Sequence, residues 1–386
     1  MLHAGRSGFL VQWGDAPIAT RLEPIMRLAP TLPLWTAAAP LAAAILLGLS
    51  AWGVAGGLWT ALQSLALVAT VMAAVHHSEV VAHRVGEPYG TLVLAVAITI
   101  IEVALIVSLM VSGGPATSAL ARDTVFAAVM LILNGMVGLC LLVGGSRYGE
   151  QSFSLFGVSA ALTTLAAIAI LTMVLPNYTT SLPGPVYNRS QLAFVALVSL
   201  VLYGTFILVQ TVRHRDYFLP EQALADEKAH AEPPSCTATW VSSVLLLGSL
   251  LAVVLLGKNL APSIETLVTR WGAPKALVGI IIAAVVLLPE GIAAVRAARA
   301  NRLQTSLNLA LGSALASIGL TIPSVAVVSI ATGWTLTLGL DTKSAVLLLL
   351  SLFVCTLSLS TGRTTVLQGT VHLVLLATYL FTTIVP

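Results

Sequence analysis

Charge is scarce in this chain. Asp, Glu, Lys and Arg make up only 9% of its 386 residues, while 58% are hydrophobic. A soluble domain carries roughly 25% charged residues, so the composition excludes a water-soluble globular fold and points to a membrane protein. The formal net charge of +3 is too small to imply a polyanion, so no nucleic acid partner is expected. Cysteine is scarce too. Cys140, Cys236 and Cys355 are an odd number with no metal-like spacing, so they read as small buried hydrophobes. Catalytic signatures are missing as well: there is no HExxH, no GxSxG and no pair of membrane aspartates. No resident cofactor is expected. Residues 1–30 contain Asp15, Glu23 and three arginines and lack a short apolar core with a small-residue cleavage site. They are not expected to act as a signal peptide.

What the chain does have is apolar runs of about twenty residues, each able to cross a ~30 Å hydrocarbon core. Eleven are visible, near 34–55, 57–80, 89–112, 123–146, 152–176, 190–212, 238–258, 274–299, 304–332, 343–361 and 364–385. Unbroken runs rather than ten-residue alternation make them helices, not barrel strands. The predicted fold is an all-α polytopic membrane protein. With the N-terminus inside, twelve Lys and Arg, among them Arg84, Arg147, Arg213 and Arg363, fall on the inner side, and six on the outer. The positive-inside bias then predicts a cytoplasmic N-terminus and an outer C-terminus.

The stretch "RHRDYFLPEQALADEKAHAEPPS" is charged and rich in proline, and reads as a cytoplasmic linker. Across it the chain repeats itself. "SEVVAHRVGEP" and "IETLVTRWGAP" share Glu79, Arg84, Gly86 and Pro88 with Glu265, Arg270, Gly272 and Pro274, each pair 186 apart. The next helix of each half carries one acid, Glu102 in "AITIIEVALI" and Glu290 in "VVLLPEGIAA", 188 apart. The second acid comes five helices after the first, an odd step, so the two copies face opposite ways across the membrane. The expected organisation is a cytoplasmic segment 1–33, an extra helix 34–56, a first five-helix repeat 57–212, a linker 213–237 and a second five-helix repeat 238–386. Inverted repeats of this kind build many secondary transporters, with the binding site at the midplane.

A carboxylate at the bilayer centre costs about 2.5–3.5 kcal/mol on insertion scales, so it normally faces a cavity and has a partner or a role. A hydrogen-bonded packing glutamate is the bland alternative, and symmetric placement of two such acids argues against it. Converging acids suit calcium, which takes six to eight oxygens, and they equally suit protons. A site that holds either, but not both, is the core of an antiporter. Pro289 removes a backbone N–H and frees the carbonyl of Val285, which predicts a helix break that adds oxygens to the site. The next helix of each half adds Asn134 in one and Asn308, Gly312 and Ser313 in the other. Asn134, Asn308 and Ser313 are expected ligands, whereas Ser317 reads as a packing position. Glu79 and Glu265 are candidate cavity-mouth acids.

One rival constellation exists. His76, Glu79 and His83 share a helical face, and His and Glu can hold zinc, which would suit an intramembrane metal-dependent enzyme. The matching stretch around Glu265 has no histidine. A passive channel is a third reading, but its usual sign is a ring of single charges in an oligomer rather than two acids in one chain.

At these residues the chain resembles the cation/proton exchanger branch of the calcium:cation antiporter superfamily, and within it the bacterial ChaA-type calcium (sodium, potassium):proton antiporters. The resemblance runs from about residue 57 onward, on "GEPYGTLVLAVAITIIEVALI", "LILNGMVGLCLLVGGSRYGEQSFS", "LVGIIIAAVVLLPEGIAAV" and "NLALGSALASIGLTIPSV". It implies that Glu102 and Glu290 are the membrane glutamates of two repeats, that Gly312 and Ser313 match a Gly-Ser helix, and that Asn134 matches an asparagine of the first half. The Gly-Asn-x-x-Glu signature is absent, and Ala316 stands where the branch often has glutamine. The resulting expectation is an antiporter of the bacterial inner membrane that exports calcium, or sodium or potassium, in exchange for protons. Its partners would be these ions and the lipid bilayer, with a homo-oligomer left open.

Overall fold

A computed structural model describes residues 33–86, 89–113, 117–218, 234–272, 274 and 276–385, without the side chains of 89–92, 94, 95, 112 and 113. Most of the expected segment 1–33, most of the linker 213–237, and Pro88 lie outside the described residues. Among the described residues eleven long helices follow one another: α1 Leu34–Ala51, α2 Gly57–Val85, α3 Tyr89–Gly113, α4 Leu120–Tyr148, α5 Leu155–Tyr178, α6 Arg189–Arg213, α7 Cys236–Arg270, α8 Ala276–Arg299, α9 Leu303–Thr332, α10 Thr342–Ser358 and α11 Val366–Ile384. Among the described residues, nine of these helices are long and apolar enough to span a membrane by themselves. The 17 residues of α10 reach ~25 Å at ~1.5 Å per residue. In α3 the span covers Val96–Val111.

Two features of the helices depart from expectation. Pro289 does not break α8, which is helical from Ala276 to Arg299. Losing one N–H costs a long membrane helix a single bond, and neighbouring helices hold the rest of the ladder in place. Pro40, Pro262 and Pro323 are likewise accommodated within α1, α7 and α9. Second, α7 runs to Arg270, beyond the apolar stretch 238–258. Lys258, Glu265 and Arg270 end the hydropathy signal but are ordinary helix formers, so the helix outlasts its apolar part.

The packing is two-fold in pattern. The first helices of the repeats, α2 and α7, lie against each other. Helix α3 packs on α9, as α8 packs on α4; α4 packs on α11, as α9 packs on α6. The connections repeat the pattern. β1 (Gln151–Ser152), after the third helix of the first repeat, pairs antiparallel with β2 (Arg363–Thr364), after the fourth helix of the second. Val186, after the fourth helix of the first repeat, bridges to Thr337, after the third of the second. These pairings sit at opposite ends of α5, as an inverted repeat requires.

The apolar core divides in two. One cluster joins Ala43 of α1, Val71 of α2, Ile101 and Leu105 of α3, Val253 and Leu256 of α7 and Val286 of α8. The other is larger and centres on α4, α5, α6 and α9. Helices α3 and α8 contribute to both, through Ile106 and Met110 and through Ile280 and Leu287 on the second side. The two acids therefore stand on the helices that form the seam. The extra helix α1 is tied to the smaller body: His77 Nε2 lies 3.2 Å from the Thr36 carbonyl and Nδ1 3.4 Å from Ser242 Oγ.

Candidate ion-binding site

The site is built from three helices. Glu102 is buried on α3 and accepts a 2.6 Å hydrogen bond from Ser317 Oγ on α9. Glu290, partly buried on α8, accepts a 3.0 Å hydrogen bond from Ser313 Oγ on the same helix α9. Ser313 and Ser317 are four residues apart, one above the other on one face. One helix therefore presents a hydroxyl to each acid on successive turns. Thr321 is buried a further turn along. Its hydroxyl has no hydrogen-bond partner among the described residues, although it lies beside Glu102. Two carboxylates and two hydroxyls supply up to six oxygens along this face of α9, the kind of donor set a hard cation takes.

The structure thus brings together Glu102, Glu290 and Ser313 of the expected set, with Pro289 next to Glu290. It also brings in Ser317, which the sequence reading took for packing. Its signal was there in the i, i+4 spacing from Ser313, but small residues at that spacing also serve close helix contact.

Asn308 goes elsewhere. Five residues before Ser313, it is rotated by about 140° around α9. Its amide nitrogen donates to the Phe218 carbonyl and its Oδ1 accepts from Gln304. With Gly157, Phe206 and Phe218 it lines a narrow recess between α5, α6 and α9. Asn134 is fully buried on a π turn of α4, Leu131–Met136. Its Nδ2 donates to Ser351 Oγ of α10 at 2.9 Å, and its Oδ1 lies 3.3 Å from His372 Nδ1 of α11. Glu79 and Glu265 are both exposed. On the rival face, Glu79 and His83 are exposed while His76 is turned towards Trp35, with ring centroids 6.1 Å apart. No group of three His, Cys, Asp or Glu able to hold a metal occurs among the described residues.

The comparisons with known proteins agree with this architecture. Residues 54–212 and 241–385 match the family model described as sodium/calcium exchanger protein, so the match covers nearly all of both repeats. A Sinorhizobium fredii protein provisionally named as an ionic transporter is 52% identical over 83% of this chain and 87% of its own. The sodium-potassium/proton antiporter ChaA of Escherichia coli is 38% identical over the same shares. Among solved structures, an H+/Ca2+ exchanger, CAX, superposes with a TM-score of 0.69 at 16% identity, covering 93% of this chain and 88% of that one, which shows a common fold. These are transporters, and they overturn the reading of a metal-dependent enzyme built on His76, Glu79 and His83. The chain belongs to the sodium/calcium exchanger protein family.

Proposed function

We propose that this protein is a cation/proton antiporter in which the cation and protons compete for Glu102 and Glu290. The observation that carries this reading is the meeting of one acid from each inverted repeat with successive turns of a single helix, α9. Two carboxylates hold two negative charges, which one calcium ion or two protons neutralise equally. Calcium is the cation that best matches this charge and a donor set of up to six oxygens, with water completing its shell. Sodium and potassium are smaller charges on the same ligands and are the competing substrates. The names of the relatives support both: a sodium-potassium/proton antiporter in Escherichia coli and a Ca(2+)/H(+) antiporter in Aphanothece halophytica, 26% identical over 67% of this chain.

Neutralising the acids would remove the cost of carrying charge across the seam between the two core clusters, so those bodies could rock between inward-open and outward-open forms. In a bacterial inner membrane, with the N-terminus in the cytoplasm, inward protons would drive cation export. No resident cofactor enters this cycle.

The test is transport into everted membrane vesicles holding a preformed pH gradient. Calcium, sodium and potassium are added in turn and collapse of the gradient is recorded. Cation-dependent collapse by the wild type, abolished in Glu102→Gln and in Glu290→Gln, is the expected result. A gradient that no cation moves refutes exchange, and mutants that match the wild type refute the paired-acid site.

A further inference from the structure

The linker between the repeats begins by turning back onto the protein. Past the end of α6 the His214 amide donates to the Val209 carbonyl, and a 3-10 turn, Arg215–Tyr217, reverses the chain. The stretch "RHRDYF" is exposed from Arg213 to Tyr217, yet Phe218 is only 6% exposed. Its ring meets Phe206 of α6 edge-on, with centroids 5.8 Å apart. Tyr217 stacks on His214 at 4.9 Å and on Phe156 of α5 at 5.2 Å. Gly157 makes the room: a Cβ there would lie 2.5 Å from the Tyr217 carbonyl oxygen and 3.1 Å from the Phe218 ring.

Phe218 closes the recess between α5, α6 and α9 on the linker side, while Ala161, Leu311 and Gly312 line it further in. A Cβ on Gly312 would meet nothing within 4 Å, so the gap reaches the residue next to Ser313. The plug is also bonded to the helix that builds the ion site. Asn308 of α9 donates to the Phe218 carbonyl, and Gln304 holds Asn308 Oδ1 while accepting from the Ser154 amide. Only five residues, ~7.5 Å along the axis, separate Asn308 from Ser313. The arrangement belongs to one half of the molecule. Helix α4 begins at Leu120 and α9 at Leu303, an offset of 303 − 120 = 183. The mates of Asn308 and Gly312 are then Val125 (308 − 183) and Val129 (312 − 183), both fully buried. Two packed valines stand where the second half has an amide and an open space, so the two-fold machinery does not account for this contact.

We propose that His214–Phe218 is a latch that couples the linker to the ion site. Seated, it holds α9 with Ser313 and Ser317 turned to the two acids. Released, it opens the recess, α9 shifts into the space beside Gly312, and the hydroxyls draw away from the carboxylates. Phe218 and Asn308 touch no ion and act as positioning residues. Coupling between two sites is reciprocal. A cation held by both hydroxyls of α9 keeps the latch seated, and an unseated latch weakens the hold on the cation by the same factor. The inference rests on the antiport reading above.

The test reads the coupling in both directions. In everted vesicles carrying Cys236→Ser, the further change Ala161→Cys puts a thiol on the recess wall behind Phe218, with Cys140 and Cys355 buried. A membrane-impermeant maleimide is expected to label it slowly. Calcium, sodium or potassium, whichever the protein exchanges, is expected at saturation to slow labelling a further fivefold to tenfold or so, roughly the usual scale of coupling between two sites. Phe218→Ala is expected to speed labelling, to remove its dependence on the cation, and to raise the cation KM by a matching factor with kcat nearly unchanged. Phe218→Leu keeps most of the plug's volume and is expected to stay within about twofold of wild type. Asn308→Ala breaks the same contact from α9, so it shifts KM the same way, and the double variant is no worse than the more severe single one. If Phe218→Ala does not insert, Asn308→Ala carries the test. Labelling that ignores the cation, or a wild-type KM in Asn308→Ala, overturns the latch while leaving the antiporter intact. A wild type without exchange removes both.

Discussion

Replacing Ser317 by alanine takes away the hydroxyl that donates to Glu102 at 2.6 Å. A hydrogen bond to a charged group contributes about 1.5–3 kcal/mol, and an unpaired buried acceptor costs on the same scale. With a cation bound, the hydroxyl oxygen also serves as a ligand. The protonated acid needs the hydroxyl less, because it carries no charge to stabilise. The loss therefore falls more heavily on the cation-bound form than on the proton-bound form. With every ~1.4 kcal/mol worth tenfold, the cation KM is expected to rise by about tenfold, with kcat at saturating cation changed much less. Ser313→Ala removes the matching hydroxyl from Glu290, at 3.0 Å, and is expected to act in the same direction. The assay is initial-rate exchange in proteoliposomes over a range of cation concentrations at fixed pH. A Ser317→Ala protein with wild-type KM would refute the assignment of this hydroxyl to the site and return Ser317 to a packing role.

Other expectations follow from the same geometry. Because protons and cation share two acids, lowering the pH on the loading side is expected to raise the cation KM. The slope steepens towards two decades per pH unit where both acids are protonated, as mass action for two coupled sites requires; a KM independent of pH contradicts the competition. Pro289→Ala is expected to leave exchange within a few-fold of wild type, since α8 is already continuous through the proline; complete loss would show that the freed Val285 carbonyl is a ligand. Gly145→Ala pushes a Cβ to 2.6 Å from the Val366 nitrogen where α4 meets α11. It is expected to destabilise by about 1–3 kcal/mol. Gly204→Ala, with nothing within 4 Å, is the control. Thermal unfolding in detergent compares the two.

Much of the fold was legible because hydropathy and charge are the same physics that insert helices into a bilayer. The eleven apolar runs correspond to the eleven helices, and the pairing of Glu102 with Glu290 emerged from spacing alone. The misplacements have local causes. The extent of α7 was lost because Lys258 and Glu265 end the apolar signal while leaving helix formation undisturbed. Asn308 was taken for a ligand because it shares a stripe with Gly312, yet about 140° of rotation from Ser313 turns it to the Phe218 carbonyl. Asn134 depends on the π turn, which adds a residue to one turn of α4, and no composition marks that position. Ser317 could be resolved only by seeing Glu102 arrive from the other repeat.

The most direct measurement is the number of protons released when a cation binds to the purified protein. Titration calorimetry in detergent, repeated in buffers of different ionisation enthalpy, reads that number. With calcium near neutral pH, the wild type is expected to release protons from the pair, approaching two as the starting pH falls. Glu102→Gln and Glu290→Gln are each expected to weaken binding and to release fewer protons. Cation binding that releases no protons, or release unaltered in both variants, would contradict a site shared by cation and protons at these two glutamates.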